Sequence, residues 1–355
     1  MSESAPPRLR VGVIGTGRVG AVLGAALRRA GHPVVAGHGV SDLSRVRAEA
    51  LLPGVPLVEP SQVVEQADLV LLCVRDDALA DVAAGLARTA PVHAGQMFVH
   101  ASGRYGLAAL DPLADAGGIP VALHPVMSFT GTSLDLARLE GCPFGVTSWE
   151  AMRPAAETLV VEMGGEPVWV PEQARPMYHA ALSHGSNHLM TLVVQSLDLL
   201  RRAGVDDPAR LISPLLHASL DNALRIGPQA LTGPVARGDA ATVRAHLEAL
   251  SADDADSRAT YIALARATAD TAIASGVLRA ELAEELLGVL GREVTSRGIR
   301  ARWRRTWPCA KPAGSMSFSR PPWSTCTAPT TSRSILGLSA TSSREHSAPG
   351  TSAEC

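Results

Sequence analysis

Three closely spaced glycines could bind a phosphate-bearing ligand. Gly15, Gly17 and Gly20 form a G-x-G-x-x-G motif between the apolar β-branched run at 11–14 and a helical apolar pattern. The first glycine of such a loop permits the tight turn, the second lets the backbone approach a pyrophosphate, and the third lets the helix pack on the strand. The motif predicts dinucleotide binding at a helix N-terminus, and the alternative is a glycine-rich turn in another α/β unit. The other loop residues expected to offer N–H groups are Thr16, Arg18 and Val19.

The end of the second predicted strand indicates which dinucleotide is bound. An NAD site places an Asp or Glu there to hold the ribose 2′-hydroxyl, but residues 37–39 read Gly-His-Gly. Hydroxyl and guanidinium groups follow, and both suit a 2′-phosphate. The pattern therefore favours NADP(H), with Asp42 interpreted as a helix cap; the alternative for the arginines is a solvated helix face. The residues predicted to hold the 2′-phosphate are Ser41, Ser44 and Arg45.

Further polar residues follow the predicted strands at the edge of the sheet where ligands bind. Val74 ends a strongly apolar run and is expected to contact the cofactor. Ser102 and His124 follow two later strands, where a hydroxyl and an imidazole could form a proton relay. The alternative is that His124 only caps a turn before Pro125. A lysine cannot take this role in the body of the chain, because the sole lysine is Lys311.

A second polar cluster opens the long helix predicted over 175–203. His184 and His188 are one turn apart on one face, with Asn187 beside them. We interpret His184 and Asn187 as substrate or nicotinamide contacts. The alternatives are a metal site, for which no third ligand is evident, and a polar core or interface.

A third cluster combines turn residues with a cation. Thr232 begins a Thr-Gly-Pro sequence, and Arg237 begins an Arg-Gly-Asp sequence. Backbone N–H groups in such turns can bind an anion. Thr232 and Arg237 are therefore predicted to bind a substrate carboxylate, although a salt bridge from Arg237 to Asp239 or a hydrogen bond to a helix carbonyl is an equally good interpretation.

Strand and helix patterns alternate from residue 9 to 171, which predicts a doubly wound parallel Rossmann sheet. Residues 172–292 show almost only helical patterns and are predicted to form an all-α domain. Residues 293–355 are rich in Ser, Thr, Pro and Arg and have no apolar period, so we expect a disordered tail, whose abrupt composition also resembles out-of-frame translation.

The overall composition limits the possible partners. The chain has 355 residues, of which 46% are hydrophobic, and a formal charge of −2. It therefore lacks the excess of positive charge that is typical of proteins that bind nucleic acid. No apolar run is long enough for a membrane span, and we expect a cytoplasmic protein. Cys73 and Cys142 lie in apolar runs and are predicted to be buried thiols, and no metal-ligand spacing is present.

Four phrases carry a resemblance to a known family. They are VGVIGTGRVG, LHPVMSFTGT, YHAALSHGSNHL and DNALRIGPQALTGPVARGD, and between residues 10 and 290 the chain resembles the Rossmann-like and DUF2520 family. The resemblance implies an NADP-dependent oxidoreductase similar in architecture to pyrroline-5-carboxylate reductase and 6-phosphogluconate dehydrogenase. It also implies a homodimer that acts on a small molecule.

The resemblance also implies roles for single residues. His124-Pro125 is similar to the His-Pro of prephenate dehydrogenases, whose histidine handles the substrate hydroxyl proton, and Ser102 is at the matching strand end. β-Hydroxyacid dehydrogenases carry a catalytic Lys and an Asn where this chain has His184 and Asn187, so their mechanism does not transfer directly. Some relatives are associated with ketopantoate reduction. We therefore expect an NADPH-dependent reductase of a small carboxylate-bearing carbonyl or imine, with a ketopantoate-like 2-keto acid as a candidate; the alternative is a non-catalytic NADP-binding sensor.

Overall fold

The computed structural model describes residues 8–250 and 255–291 and is centred on a seven-stranded sheet. The strand order is β2-β1-β3-β4-β5-β6-β7. Strands β1 to β5 are short, apolar and parallel, as expected for strands covered on both faces. The strands are β1 Val11–Ile14, β2 Val34–His38, β3 Leu69–Leu72, β4 Met97–His100, β5 Ile119–Pro125, β6 Pro143–Ser148 and β7 Glu166–Trp169.

One strand pair departs from the predicted parallel sheet. β6 runs antiparallel to β5, with His124 opposite Gly145. A parallel neighbour would need a crossover that returns the chain to the other end of the sheet. The segment between β5 and β6 contains only a five-residue helix, Leu134–Arg138, and the chain turns back instead. The doubly wound fold is otherwise confirmed.

Alternate residues of the strands contribute to separate hydrophobic clusters, because successive side chains point to opposite faces. Val13, Leu71 and Val99 pack with the first and seventh helices, whereas Ile14, Leu72 and Phe98 pack with the third, fourth and fifth. The helices between β1 and β7 are, in chain order, α1 Arg18–Arg29, α2 Asp42–Leu51, α3 Pro60–Gln66, α4 Asp76–Thr89, α5 Asp111–Asp115, α6 Leu134–Arg138 and α7 Arg153–Glu162.

After β7 the described chain is helical. The helices are α8 Arg175–Arg202, α9 Pro208–Ile226, α10 Gly233–Arg237, α11 Ala240–Ala249, α12 Ala255–Ala274 and α13 Ala280–Val289. Pro176 lies in the first turn of α8, where its missing N–H leaves no helical bond unmade. None of the described helices is both long and apolar enough to cross a membrane.

The chain divides into two compact units between Leu216 and His217, within α9. The first unit contains the sheet and α8. The second has its own core, to which α10 contributes Val235 and Ala236. The domain limits proposed at 171 and 292 stay predictions, and the predicted disordered tail lies outside the described residues.

Candidate functional site

The glycine loop connects β1 to α1, and its glycines meet three different surroundings. Gly15 has φ +95°, and a Cβ there would lie 2.5 Å from the Cys73 carbonyl oxygen. A Cβ at Gly20 would lie 2.2 Å from the Gly15 carbonyl oxygen, so this position packs helix against loop. A Cβ at Gly17 would meet no protein atom within 4 Å. The open space at Gly17 is where a pyrophosphate can approach the backbone.

The start of α1 leaves donors for such an anion. No backbone hydrogen bond in the described part of the chain uses the N–H of Gly17, Arg18 or Val19, and the first turn of α1 has no acidic residue. Thr16 differs from the prediction. Its N–H donates to the His38 carbonyl at 3.1 Å and its hydroxyl to the Ser44 carbonyl at 3.0 Å, so it braces the loop instead of facing a phosphate.

The segment after β2 combines a helix cap, Ser41, with an arginine, Arg45. Ser41 caps α2 by accepting from the Ser44 N–H. The Ser44 hydroxyl donates to the Ser41 carbonyl at 2.6 Å, and its predicted contact with the 2′-phosphate stays a prediction. Arg45 Nε lies 3.5 Å from the Gly39 carbonyl oxygen. Ser41 and Arg45 thus present a hydroxyl and a guanidinium beside the loop.

Arg47 is a second cation near the loop, and it was not among the residues predicted to hold the 2′-phosphate. A Cβ at Gly131 would lie 2.6 Å from Arg47 Nε and 3.0 Å from Arg18 Cα, so the loop after β5 lies against both. Among the described residues, Arg18, Arg45 and Arg47 form no ion pair with a carboxylate. The sequence signal for Arg47 was its place in the basic run after the second strand.

Ser102 and His100 form the end of β4. The His100 ring is fully buried, with Nε2 2.9 Å from the Gly106 carbonyl oxygen and Nδ1 accepting from the Ser102 N–H at 3.2 Å. The Ser102 hydroxyl accepts from the N–H groups of Arg104 and Tyr105 at 3.3 and 3.2 Å, and its own hydrogen is left to donate. No direct hydrogen bond joins Ser102 to His124 in the described structure. Val74 lies beyond the end of β3, with its N–H next to Gly15.

The centre of the candidate site is His124, at the end of β5. Its Nδ1 lies 2.8 Å from the Tyr178 hydroxyl of α8. A Cβ at Gly103 would lie 2.8 Å from His124 Nε2 and 2.7 Å from His179 Cδ2, so the Gly103 backbone lies against that edge of the imidazole and leaves no room for a side chain at 103. Burial, with smaller contributions from Arg175 and His179, lowers the pKa of His124 to about 4. His124 is therefore neutral near pH 7.

Arg175 fastens the start of α8 to the sheet. Its fully buried guanidinium donates to Thr147 Oγ1 at 2.9 Å and to the carbonyl oxygens of Ser102, Ala122 and Gly145 at 2.9, 3.1 and 2.8 Å. Burial lowers the pKa of Arg175 to about 10, which still leaves it charged at pH 7. All four partners are neutral, so a positive charge lies beside His124 and Tyr178. The sequence analysis missed this residue because its partners are 28 to 73 positions away in the chain.

His184 and Asn187 are not brought to this centre. His184 lies six residues beyond Tyr178, about 9 Å along the helix, and its Nδ1 lies 2.9 Å from the Nδ1 of His188. Both side chains are exposed, and no hydrogen bond joins them to His124 or Ser102 in the described structure. The described residues contain no group of three potential metal ligands.

Thr232 and Arg237 belong to the second unit. Its turn residues have structural functions: Gly238 ends α10 with φ +76°, and the Asp239 carboxylate caps α11 by accepting from the Thr242 N–H at 3.0 Å. The direct Arg237–Asp239 salt bridge does not form, since no such pair is found among the described residues, and Arg237 is exposed. Carboxylate binding by Thr232 and Arg237 stays a prediction.

Comparison with protein-family models identifies both parts of the chain. Residues 1–125 match the Rossmann-like domain and residues 142–268 match DUF2520, a domain of unknown function. The chain carries a Rossmann-like domain followed by a DUF2520 domain. A search of curated protein sequences gives no match.

Solved structures share this architecture. A putative NADP oxidoreductase from Bacteroides fragilis has a TM-score of 0.63 and 18% identity, over 74% of this chain and 98% of that one. An imine reductase from Pseudomonas sp. has a TM-score of 0.53 and 20% identity, over 80% and 100%. The 1-pyrroline-5-carboxylate reductase of Streptococcus pyogenes has a TM-score of 0.50 and 17% identity, over 75% and 98%. At these identities the likeness shows the fold.

Proposed function

We propose that this DUF2520 protein is an NADP(H)-dependent oxidoreductase that reduces the C=O or C=N bond of a small carboxylate-bearing compound. The observation that carries the proposal is the pairing of an open glycine loop at Gly17 with a neutral His124 at the end of β5, both on one sheet. Dinucleotides lie across this edge of an open α/β sheet. The three structural neighbours bear reductase or oxidoreductase names, which agrees with the proposal.

The residues that would hold the cofactor follow from the geometry. Gly17 offers the open backbone, and the N–H groups of Arg18 and Val19 lie at the positive end of the α1 dipole. Arg45 and Arg47 are the cations available to a 2′-phosphate, with the Ser41 hydroxyl beside them. When bound, the reduced nicotinamide supplies a hydride.

The chain's own residues supply the proton and the electrostatic environment. His124 Nε2 makes no hydrogen bond with any described residue, and Gly103 places no side chain against it. The buried positive charge of Arg175, whose hydrogen-bond partners are all neutral, favours an anionic substrate beside His124. A 2-keto acid such as ketopantoate has this chemistry.

We also propose that the protein is a homodimer. Apolar side chains of the first unit are exposed along α8 and the beginning of α9, among them Met190, Val194 and Leu215, at 69%, 57% and 66% of their full surface. Large exposed apolar patches mark interfaces. A second copy fits them better than residues 292–355 do, because that segment is rich in Ser, Thr, Pro and Arg and has no apolar period.

Cofactor titration tests the first proposal. We expect the full chain to bind NADPH more tightly than NADH, and the Arg45→Ala/Arg47→Ala variant to lose about 100-fold in NADPH affinity with NADH affinity unchanged. Arg88→Ala, an exposed arginine on α4, is the control and should bind as wild type. Turnover is then measured as NADPH oxidation with 2-keto acids and cyclic imines. Binding without turnover would support an NADP sensor, and equal loss of NADH binding would contradict the assignment of the two arginines.

A further inference from the structure

The Tyr178–His124 contact joins the helix after the sheet to the centre of the candidate site. The hydroxyl lies 2.8 Å from Nδ1, and the two rings are nearly perpendicular at 88°. Gly145 makes room for this contact, since a Cβ there would lie 2.4 Å from the Tyr178 hydroxyl. Gly103 clears the other edge of the imidazole in the same way. One nitrogen of His124 is thus hydrogen-bonded to Tyr178, and the other forms no hydrogen bond with any described residue.

The direction of the hydrogen bond follows from the acidities of the two groups. A phenol is a much stronger acid than the N–H of a neutral imidazole, so Tyr178 donates and Nδ1 accepts. The hydrogen of neutral His124 is then on Nε2, the nitrogen that forms no hydrogen bond with a described residue. Burial raises the pKa of Tyr178, and the charge of Arg175 opposes this, so the phenol is protonated near pH 7.

We propose that Tyr178 is the proton source of the reduction and acts through His124. As the substrate oxygen or nitrogen gains negative charge, His124 Nε2 gives up its hydrogen to that atom while Nδ1 takes the hydrogen of the Tyr178 hydroxyl. The imidazole is then neutral with its hydrogen on Nδ1, and Tyr178 is a phenolate. After the product leaves, Nδ1 returns its hydrogen to the phenolate and water supplies a proton to Nε2, which restores the starting tautomer. This inference rests on the proposed reductase function.

Arg175 holds and stabilises the relay. It is three residues before Tyr178 on α8, and its four hydrogen bonds fix that turn against β5, β6 and the loop after β4. Its guanidinium carbon lies 6.0 Å from the centre of the Tyr178 ring. Because its hydrogen-bond partners are neutral, its charge can stabilise a phenolate. The other ionisable groups around the pair are His179 of α8, His100 of β4 and Cys142 before β6, and none of them is an anion near pH 7. The carboxylate of Glu172 also acts on the charge of Arg175, but it accepts hydrogen bonds from the N–H groups of Leu107 and Ala108 and forms none with Arg175 in the described structure.

Nitrogen-15 NMR of histidine-labelled protein without cofactor tests the arrangement directly. We expect His124, assigned by loss of its signal in His124→Gln, to be the neutral tautomer with hydrogen on Nε2 and a hydrogen-bonded Nδ1. Tyr178→Phe, which removes only the hydroxyl, should shift the Nδ1 resonance. A hydrogen on Nδ1 in the wild type, or a His124 signal unchanged by Tyr178→Phe, would overturn the proposal.

Kinetics test the proton source, and the chain offers a matched control. Tyr178→Phe should bind NADPH as wild type and lose about 100-fold or more in turnover. Tyr261 and His246 form a second pair in the helical unit, with the hydroxyl 2.9 Å from Nδ1 and rings at 85°. Tyr261→Phe should change the His246 signal and leave turnover intact. Near-normal turnover in Tyr178→Phe would contradict the relay. If the wild type reduces no substrate, the reductase proposal fails, and the His124 tautomer alone decides whether the relay geometry exists.

Discussion

His100 is a buried histidine whose two ring nitrogens are both hydrogen-bonded in the neutral form of the imidazole. Burial lowers its pKa from 6.5 to about 4, against the opposing hydrogen bond to the Gly106 carbonyl. Between pH 6.5 and 4 the unfolded chain binds a proton that the folded chain does not. The stabilisation is therefore complete above pH 6.5 and decreases as the pH falls, by about 3 kcal/mol over the whole window.

His100→Gln should reduce this pH dependence, because an amide can donate to the Gly106 carbonyl and does not titrate. We expect the free energy of unfolding in urea to fall less between pH 7 and about pH 4.5 in His100→Gln than in the wild type. His93→Gln changes an exposed histidine and should follow the wild type. Parallel curves for His100→Gln and the wild type would show that His100 does not carry the effect.

Different glycines of the loop between β1 and α1 are expected to serve ligand binding and folding. Gly17→Ala places a methyl group where no protein atom lies within 4 Å, at an extended backbone conformation with negative φ, −76°. We expect an unchanged Tm and a loss of NADPH binding of at least 10-fold, because the methyl group occupies the path of the pyrophosphate. Gly20→Ala instead forces a methyl group to within 2.2 Å of the Gly15 carbonyl oxygen and should lower stability by about 1–3 kcal/mol.

Thermal unfolding and NADPH titration of both variants check this pair. Gly85→Ala, on α4, is the control, since a Cβ there also meets no atom within 4 Å and lies away from the loop. A Gly17→Ala protein that binds NADPH normally would show that the pyrophosphate does not lie at this loop.

The helices and strands were predictable where the sequence signal is local. Strand β1, the glycine turn, α1 and the long helix α8 follow from apolar period and turn residues within windows of a few turns. The antiparallel pairing of β5 with β6 was missed. The direction of β6 depends on the path of the segment that connects it to β5, and the apolar residues of β6 do not differ from those of the parallel strands. Periodicity placed His184 and His188 correctly on one face of α8, but it does not show which face meets the sheet.

The site could be predicted only in part, for the same reason. Ser102 and His124 were found because strand ends mark a sheet edge. Tyr178 stands 54 residues from His124, and Arg175 stands 73 residues from Ser102, so their contacts exist only once α8 has docked. The sequence does not show that the Ser44 hydroxyl donates to the Ser41 carbonyl in the folded chain, and phosphate binding by Ser44 stays a prediction.

At the scale of the whole molecule, α8 is a helix of 28 residues with only Arg175 buried. Helices of soluble proteins gain most of their stability from packing an apolar face, so such a helix calls for a further contact. Val194 is exposed to 57% and lies one turn from Met190, which places both at the centre of the face proposed for the second copy. A charge introduced there would be buried without a partner in a dimer and solvated in a monomer.

We therefore expect Val194→Glu to convert the dimer to a monomer with little change in the far-ultraviolet circular dichroism. Val161→Glu, on α7, is the matched control, because this valine is exposed to 60% and lies outside the proposed interface. Sedimentation velocity at several concentrations measures both. A dimer that persists in Val194→Glu would move the interface away from α8, and a monomeric wild type would rule the homodimer out. Dissociation of Val161→Glu as strongly as Val194→Glu would indicate that any charge on the surface disrupts assembly, so the difference between the two variants is what locates the interface.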